Sequence, residues 1–356
     1  MAGSENLPPG GFSLKKNAEV ITISEIARLS GVSIGTVDRV IHGRGKVSAK
    51  NQQKIAAVIK RYNYKPNIMA RHLKRNSSLK VGLFFPEDLK TGMYLPFLHN
   101  GTSRVYWDLV IQGIERAVET LGPFNIQIVP GFWGSPASPE EEIDALILSP
   151  SNPEKAFKLL ERTAGIPYVL IDSPLENASP LVTIMQNPLR GGQTAGRVMR
   201  LLKGRGHFVC LHIYTQAYNV IERSRGFKDF FSDDPDVRIS EVVNEGFIPR
   251  QVFQLLDRIF AGGQVDGIFV PHAEANIIAD YLVGRKLKSR VALIGYDNVP
   301  LNREALLSGA IDCLIAQRPE NQGYLAMCEI YHKCVLNQER EKIIEIPIDV
   351  YFPENI

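Results

Sequence analysis

From Lys80 onward, short apolar runs alternate with longer stretches of helical period. The runs are Val81–Phe85, Ile126–Val129, Ala145–Leu148, Tyr168–Ile171, Val182–Met185, Phe208–Ile213, Ile239–Val243, Gly267–Val270, Ala292–Tyr296 and Cys313–Ala316. Between most of them lie amphipathic segments such as Leu109–Leu121, Pro153–Ala164 and Arg190–Leu202. Alternating strands and helices predict parallel, doubly wound sheets. Ten strands exceed one comfortable sheet, so two Rossmann-like lobes are expected, with ligands at the C-terminal ends of the strands. One connection breaks the rhythm. Thirteen residues separate Val129-Pro130 from the strand beginning at Asp144, and they include Pro136 and Pro139. A parallel crossover usually needs a dozen or more residues with a full helix. Either this lobe has a truncated crossover or the sequence omits a segment.

The N-terminal part reads differently. Thr22-Ile23-Ser24-Glu25 has the form of a capping box, with Thr22 as N-cap and Glu25 three residues on. A first helix is expected to run to about Leu29, with Ile23, Ile26 and Ala27 on one face. Gly31 supplies the turn, and Ser33 caps a second helix from Ile34 to Ile41 that turns Val37, Val40 and Ile41 inward. His42-Gly43-Arg44-Gly45 breaks the chain. Ser48 then caps a third helix in which Ile55, Val58, Ile59 and Tyr62 recur at helical spacing. A short helix, a glycine turn and a second helix make a helix-turn-helix, whose second helix is left free to enter a major groove.

Charge sharpens that reading. The chain carries a net +3, but residues 19–76 hold twelve lysines and arginines against three acids, a local +9. After +1 in the preceding tail, about −7 is left for the rest. A compact basic module on an acidic body suits a polyanion. The apolar runs are strand-sized and none approaches the ~20 residues of a membrane span. The N-terminus lacks the pattern of a secretory signal. Cys210, Cys313, Cys328 and Cys334 form no CxxC pair and no metal spacing with histidine, which points to free, mostly buried thiols in a cytoplasmic protein.

The stretch Ile23 to Leu73 resembles the headpiece of the lactose-repressor family. The matching residues are Ile26-Ala27, Gly31-Val32-Ser33, Thr36-Val37, Arg39-Val40, Gly43, Val47-Ser48, Tyr64-Lys65-Pro66-Asn67, Ala70 and Leu73. The resemblance implies DNA contacts from Thr22, Ser33, Ile34, Gly35, Thr36 and Arg39; the family's base-reading positions are held by Ile34, Gly35 and Arg39, of which Gly35 can read nothing by side chain. Arg39 can grip a guanine in bidentate fashion, and Ile34 can touch a thymine methyl. Asp38 departs from the serine usual at its position, which puts the operator sequence in doubt and not DNA binding itself. Pro66 to Leu73 matches the family's hinge helix. The match implies contacts from Asn67, Met69 and Ala70, with Leu73 as the wedge that opens the minor groove.

From Lys80 to the C-terminus the chain resembles the periplasmic-binding-protein-like sensor of the same family. Tyr106-Trp107, placed just before helix Leu109–Leu121, matches the aromatic pair of ribose-type binders. Ile171-Asp172 and Gly295-Tyr296-Asp297 match strand ends that carry pocket aspartates. Arg223-Ser224-Arg225-Gly226-Phe227 matches an R-x-x-G-F motif whose first arginine points inward, with Arg225 outward. Ile315-Ala316-Gln317, then Gln322-Gly323, matches the return segment with its pocket glutamine. Pro271-His272 stands where the family often has asparagine, which makes His272 a pocket residue by position. The implied effector site is therefore Tyr106, Trp107, Asp172, Arg223, His272, Asp297 and Gln317. The chemistry suits a sugar. Asp172 and Asp297 accept from hydroxyls, Arg223 donates, Gln317 does both, and the aromatic rings cover C–H faces. On a plainer reading, Tyr106 and Trp107 belong to the core and the aspartates cap the segments that follow them.

No nucleotide fingerprint follows the first strand, where Pro86-Glu87-Asp88 stands. Gly191-Gly192 lacks the GxGxxG spacing and reads as a close-packing device. Neither GxSxG nor HExxH occurs, so no enzyme, cofactor or metal is expected. The expected fold is an α-helical helix-turn-helix headpiece plus α/β, with two Rossmann-like lobes of the type I periplasmic-binding-protein kind. The expected divisions are a flexible tail 1–18, the headpiece 19–66, a hinge helix and linker 67–78, and an effector-binding and dimerisation domain 79–356. Lobe one takes about 79–186 and lobe two about 187–316, with 318–356 shared and the chain crossing near Gln186 and Gln317. The expected function is sequence-specific control of transcription, in the first place repression, set by a small ligand. A sugar is the leading effector, with a purine or other non-sugar as the alternative. A sugar-binding transport protein would share the large domain but not the headpiece. Expected partners are a pseudo-palindromic operator in double-stranded DNA and a second copy of the chain, without a tetramerisation tail or a membrane.

Overall fold

The computed structural model describes residues 23–41, 47–62, 78–86, 102–122, 125–132, 143–212, 217–243, 249–338 and 342–356. The chain divides into two compact units between Arg71 and His72. That division lies within the segment expected as a hinge. Asn67, Met69, Ala70 and Leu73 fall outside the described residues, as do Thr22 and the short connection 133–142.

The first unit holds α1 (Ile23–Ser30), α2 (Ile34–Ile41) and α3 (Ala49–Arg61). Ile26, Ala27, Val37 and Ile55 close a small core, with Ile23, Val32, Val40, Val58 and Ile59 packed around it. Gly31, at φ 67°, makes the turn between α1 and α2 in the left-handed region that glycine tolerates without penalty. The Ser48 side chain accepts from the Asn51 amide and caps α3. Tyr62 departs from expectation. It is the C-cap of α3, 44% exposed, with Arg61 over its ring, so the helical period ends before reaching it.

In the second unit, one six-stranded sheet runs β11-β5-β4-β3-β1-β2. Its strands are β1 (Leu79–Phe85), β2 (Ile126–Phe132), β3 (Ala145–Leu148), β4 (Tyr168–Ile171), β5 (Val182–Gln186) and β11 (Ile343–Ile346), all paired in parallel. Helices α4 (Thr102–Thr120), α5 (Pro153–Arg162) and α11 (Pro319–Cys334) belong to this lobe. The second sheet runs β12-β10-β9-β8-β6-β7. It comprises β6 (Gly206–His212), β7 (Val237–Val243), β8 (Gly267–Phe269), β9 (Ala292–Tyr296), β10 (Cys313–Ala316) and β12 (Asp349–Tyr351), with β12 antiparallel. Its helices are α6 (Pro188–Lys203), α7 (Tyr218–Phe230), α8 (Pro249–Ala261), α9 (Ala275–Gly284) and α10 (Pro300–Leu307).

The apolar runs are continuous because both sheet faces are covered. Along β6, Phe208 and Cys210 join one core cluster with Phe227 of α7, while Val209 and Leu211 join the opposite one with Leu256 and Leu282. Among the described residues the chain passes between the sheets at three places: after Gln186, after Ala316 and at Pro347-Ile348. The sequence reading shared 318–356 between the lobes without placing this third passage, and strands β11 and β12 were not expected from it. The expected start of the helix at Leu109 is also corrected. α4 begins at Thr102, so Tyr106 and Trp107 lie within it.

Candidate functional site

The two sheets point their C-terminal ends at a shared cavity of about 160 Å³. Seven side chains expected there, Tyr106, Trp107, Asp172, Arg223, His272, Asp297 and Gln317, all line it. Pro86, Ser151, Ala217, Asn219, Val220 and Ala273 complete the wall. Each contributor stands where a strand stops or within the first two turns of a helix, at the end of the sheets where open α/β folds hold ligands.

The two aspartates occupy matching positions. Asp172 follows β4 and Asp297 follows β9, with φ values of 70° and 65°. Each amide donates to a neighbouring strand, Asp172 to the Ile184 carbonyl at 2.9 Å and Asp297 to the Ile315 carbonyl at 2.7 Å. The left-handed backbone, which aspartate tolerates better than most residues, lets the chain leave the sheet and face the cavity. Asp172 accepts from the Tyr106 hydroxyl at 3.2 Å and from Asn219 Nδ2 at 3.0 and 2.9 Å on its two oxygens. Asn219 lies on α7 of the other lobe, so this contact spans the cleft. Asp297 accepts from Gln317 Nε2 at 3.1 Å.

Arg223 is 2% exposed. Its Nη1 donates to the Pro271 carbonyl at 3.0 Å, and its guanidinium carbon sits 3.7 Å from the centre of the Tyr296 ring. The Nε of Arg223 and the Oε1 of Gln317 are buried with no hydrogen-bond partner. His272 faces the cavity with its Nδ1 2.6 Å from Glu274 Oε2, itself buried. Tyr106 and Trp107 meet edge to face at 5.1 Å, and Trp107 stacks on Phe85 at 5.0 Å. Arg225 is exposed and pairs with Glu222.

Among the described residues, one guanidinium therefore faces two cavity carboxylates. Burial raises the Asp172 carboxyl, with Arg223, Tyr106 and Asn219 opposing the rise. Burial also takes Asp297 up to about 6, opposed by Arg223 and Gln317 and reinforced by Asp172 and Glu274. Burial, then Asp172 and Asp297, holds the Tyr106 hydroxyl well above its usual range, so it is a donor at neutral pH.

Asn219 and Asn302 escaped the sequence reading, and Gln322 was seen only as part of the return segment, without a role in the site. Asn219 lies one helical turn before Arg223, and that spacing could have revealed it. Gln322 donates to the Tyr106 hydroxyl at 3.3 Å and the Gln317 carbonyl at 3.0 Å. Asn302 braces the aspartate loop through the carbonyls of Ala273, Tyr296 and Asp297, and nothing in its local pattern announces this.

In the first unit, the Thr36 amide donates to Ser33 Oγ at 3.2 Å, which caps α2 as expected. Ile34 is 54% exposed, and Gly35 and Arg39 are also exposed, so the face expected to read DNA is open. The side chain of Asp38 lies outside the described residues. Among the described residues, no group of three or more His, Cys, Asp or Glu could hold a metal ion. Among them, too, no helix is long and apolar enough to cross a membrane.

Residues 22–67 match the model of bacterial regulatory proteins of the lacI family, and residues 97–333 that of a periplasmic binding protein domain. The chain is 26% identical over 347 residues to the HTH-type transcriptional repressor PurR of Serratia proteamaculans, spanning 91% of this chain and 94% of that one. It is 23% identical over 346 residues to the PurR repressor of Klebsiella pneumoniae, with the same coverage. Among solved structures it is similar to a protein of Bacteroides fragilis assigned as a LacI transcriptional regulator. The TM-score is 0.69 at 26% identity, over 78% of this chain and 98% of that one. A glucose-galactose binding protein of Geobacillus stearothermophilus shares the fold at TM-score 0.66 and 18% identity, over 79% of this chain and 99% of that one.

Proposed function

The chain belongs to the lacI family of bacterial regulatory proteins, a DNA-binding transcriptional regulator whose larger part is a periplasmic-binding-protein domain, and from that premise we propose that its cavity takes a free, uncharged monosaccharide. The observation that carries this reading is the convergence of Asp172 and Asp297, from opposite lobes, on a cavity of about 160 Å³ with a single guanidinium. Carboxylates accept from hydroxyls, which a sugar supplies around its whole rim, while Arg223 and Gln317 answer the ring and hydroxyl oxygens. Trp107 and Tyr106 offer apolar surface for C–H faces. A phosphate or carboxylate on the ligand would meet more negative than positive charge.

In this reading the headpiece 19–66 binds operator DNA, with Arg39 and Ile34 at the bases, Gly35 at a base-reading position without a side chain to read, and Ser33 and Thr36 on the backbone. The segment 67–78 serves as hinge, with Leu73 as wedge. The protein acts in the cytoplasm as a homodimeric repressor on a pseudo-palindromic site, and no catalysis is assigned to it. The sugar alters the relative stability of two lobe arrangements, and operator affinity follows through that differential binding.

The test is a thermal-shift screen of the full chain against free aldopentoses and aldohexoses, their phosphates, sugar acids, purine bases and disaccharides. A free monosaccharide at a hundred times its Kd should raise Tm by about 5–10 °C. A shift given only by a purine or a phosphorylated sugar overturns the effector class and leaves the regulator reading in place.

A further inference from the structure

Gln186 stands at the first of the three passages between the lobes and touches the other two. Its Nε2 donates to the Ala316 carbonyl at 2.9 Å and to the Pro347 carbonyl at 3.1 Å. Its Oε1 accepts from the Tyr296 hydroxyl. One buried amide, 2% exposed, thus ties all three passages together, with both of its N–H groups and its oxygen engaged. Tyr296 is fully buried, and its ring is the surface on which the Arg223 guanidinium lies at 3.7 Å. Room for the hydroxyl is built into the fold. A Cβ at Gly191, in the first turn of α6, would collide with it.

The chain of contacts therefore runs from the cavity through Arg223 and Tyr296 to Gln186 and the crossovers. Both of its ends are cavity-lining residues that carry a buried atom without a hydrogen-bond partner. One is Arg223 Nε. The other is Oε1 of Gln317, the residue after the clipped Ala316. An occupant that answers these atoms loads the guanidinium and the return crossover together. Burial pushes the Tyr296 hydroxyl up to about 12, so it remains a donor throughout the physiological range.

We propose that Tyr296 is a positioning residue with two faces: its ring seats Arg223 for the ligand, and its hydroxyl, through Gln186, ties that seat to the three lobe crossovers. Occupancy of the cavity is thereby read at the three crossovers. The contacts form a continuous physical path, and a path earns the name of coupling only when perturbing one end is felt at the other through the middle. The inference concerns the same site as the monosaccharide proposal but does not depend on which ligand occupies it.

The experiment accordingly needs no ligand. Hydrogen–deuterium exchange is measured on the unliganded full-length protein, following peptides that cover 184–190, 314–319 and 345–350, with β3 and β6 as references. Tyr296→Phe and Gln186→Leu should each speed exchange in all three crossover peptides at least threefold while the reference strands stay unchanged. Arg223→Lys and Arg223→Leu, which alter a side chain whose hydrogen bond goes to Pro271, outside these peptides, should speed them too. That effect should vanish in a Tyr296→Phe background, because a shared path is lost only once. Thermal melts alongside separate local loosening from general destabilisation, and the lysine variant covers the case in which the leucine variant folds poorly. Unchanged crossover exchange in Tyr296→Phe, or an Arg223 effect that persists at full size without the hydroxyl, overturns the proposal. Loss of a thermal shift with every sugar would overturn the effector class instead and leave these outcomes standing.

Discussion

Burial drives the Asp297 carboxyl up to about 6 from its ordinary 3.8, and the nearby guanidinium of Arg223 does not fully offset it. Between those two values the folded protein keeps a proton that the unfolded chain has released. Stability contributed by the protonated group is therefore complete below about pH 3.8, declines as pH rises toward 6, and stays lost above it. Asp297→Asn removes that dependence. Asparagine tolerates the left-handed backbone at this position, and its amide oxygen can still accept from Gln317. At pH 7.5 the variant should be more stable than the parent by roughly 3 kcal/mol, and at pH 4 nearly equal to it. Urea unfolding at the two pH values checks this, and a constant difference would show that the Asp297 proton is not the cause. The same exchange should weaken monosaccharide binding, since an acceptor becomes a mixed group. A pocket that holds two carboxylates is costly when empty, and that cost is consistent with a site shaped for a hydroxyl-bearing occupant.

At the level of helices, both lobes use the same joint. In α6 and α7, a Cβ at Gly192 would overlap the Arg223 carbonyl and one at Gly226 would overlap the Leu189 carbonyl. In α4 and α11, Gly113 faces the Glu320 carbonyl and Gly323 the Val110 carbonyl in the same reciprocal manner. The paired helices touch backbone to backbone, and this fixes the distance from Arg223 and Tyr106 to the cavity. Gly226→Ala and Gly323→Ala should each cost about 1–3 kcal/mol or more through forced separation. Gly284→Ala, at the end of α9 with open space around it, should be neutral or slightly stabilising. Urea midpoints of the three variants make the comparison, and equal midpoints would remove the packing argument. The sequence announced part of this. Gly191-Gly192 read as a packing device because it lacked phosphate-loop spacing, and the strand runs were visible because both sheet faces are apolar. Other features had no local signal. Ile343–Ile346 and Asp349–Tyr351 are short and separated by Pro347, so neither shows a period. The helix start at Thr102 was missed because Thr102-Ser103-Arg104 gives no apolar rhythm. The Gln186–Tyr296 contact joins residues 110 positions apart and leaves no trace in either neighbourhood.

At the scale of the whole chain, recognition of DNA and recognition of ligand rest on separate compact units, divided between Arg71 and His72. Residues 19–76 hold +9 of charge, while the cavity gathers Asp172, Asp297 and Arg223. Substitutions in one unit should then leave the intrinsic activity of the other largely intact. Arg39→Ala should cost about 1–3 kcal/mol per half-site and relax preference at one base pair, with ligand binding unaltered. In vitro selection with the variant separates this from a phosphate-only role, which would weaken all sequences alike and flatten the salt dependence. The converse case is sharper. Asp172 accepts across the cleft from Asn219, and Arg223 offers the only guanidinium among the described cavity residues. A charged hydrogen bond contributes on the order of 1.5–3 kcal/mol, and a buried partner left unpaired adds a penalty. Asp172→Ala and Arg223→Ala should therefore each lower affinity for the monosaccharide returned by the thermal-shift screen at least tenfold. Arg225→Ala, whose side chain is exposed and paired with Glu222, should change it less than threefold. Operator binding by both severe variants, measured without sugar on a selected DNA site, should stay within about threefold of the parent. In a reporter strain they would occupy the operator and ignore the effector. Wild-type sugar affinity by calorimetry in both variants would move the binding site away from this cavity. Lost operator binding in both, with their folding intact, would mean that the two units do not work as separable parts.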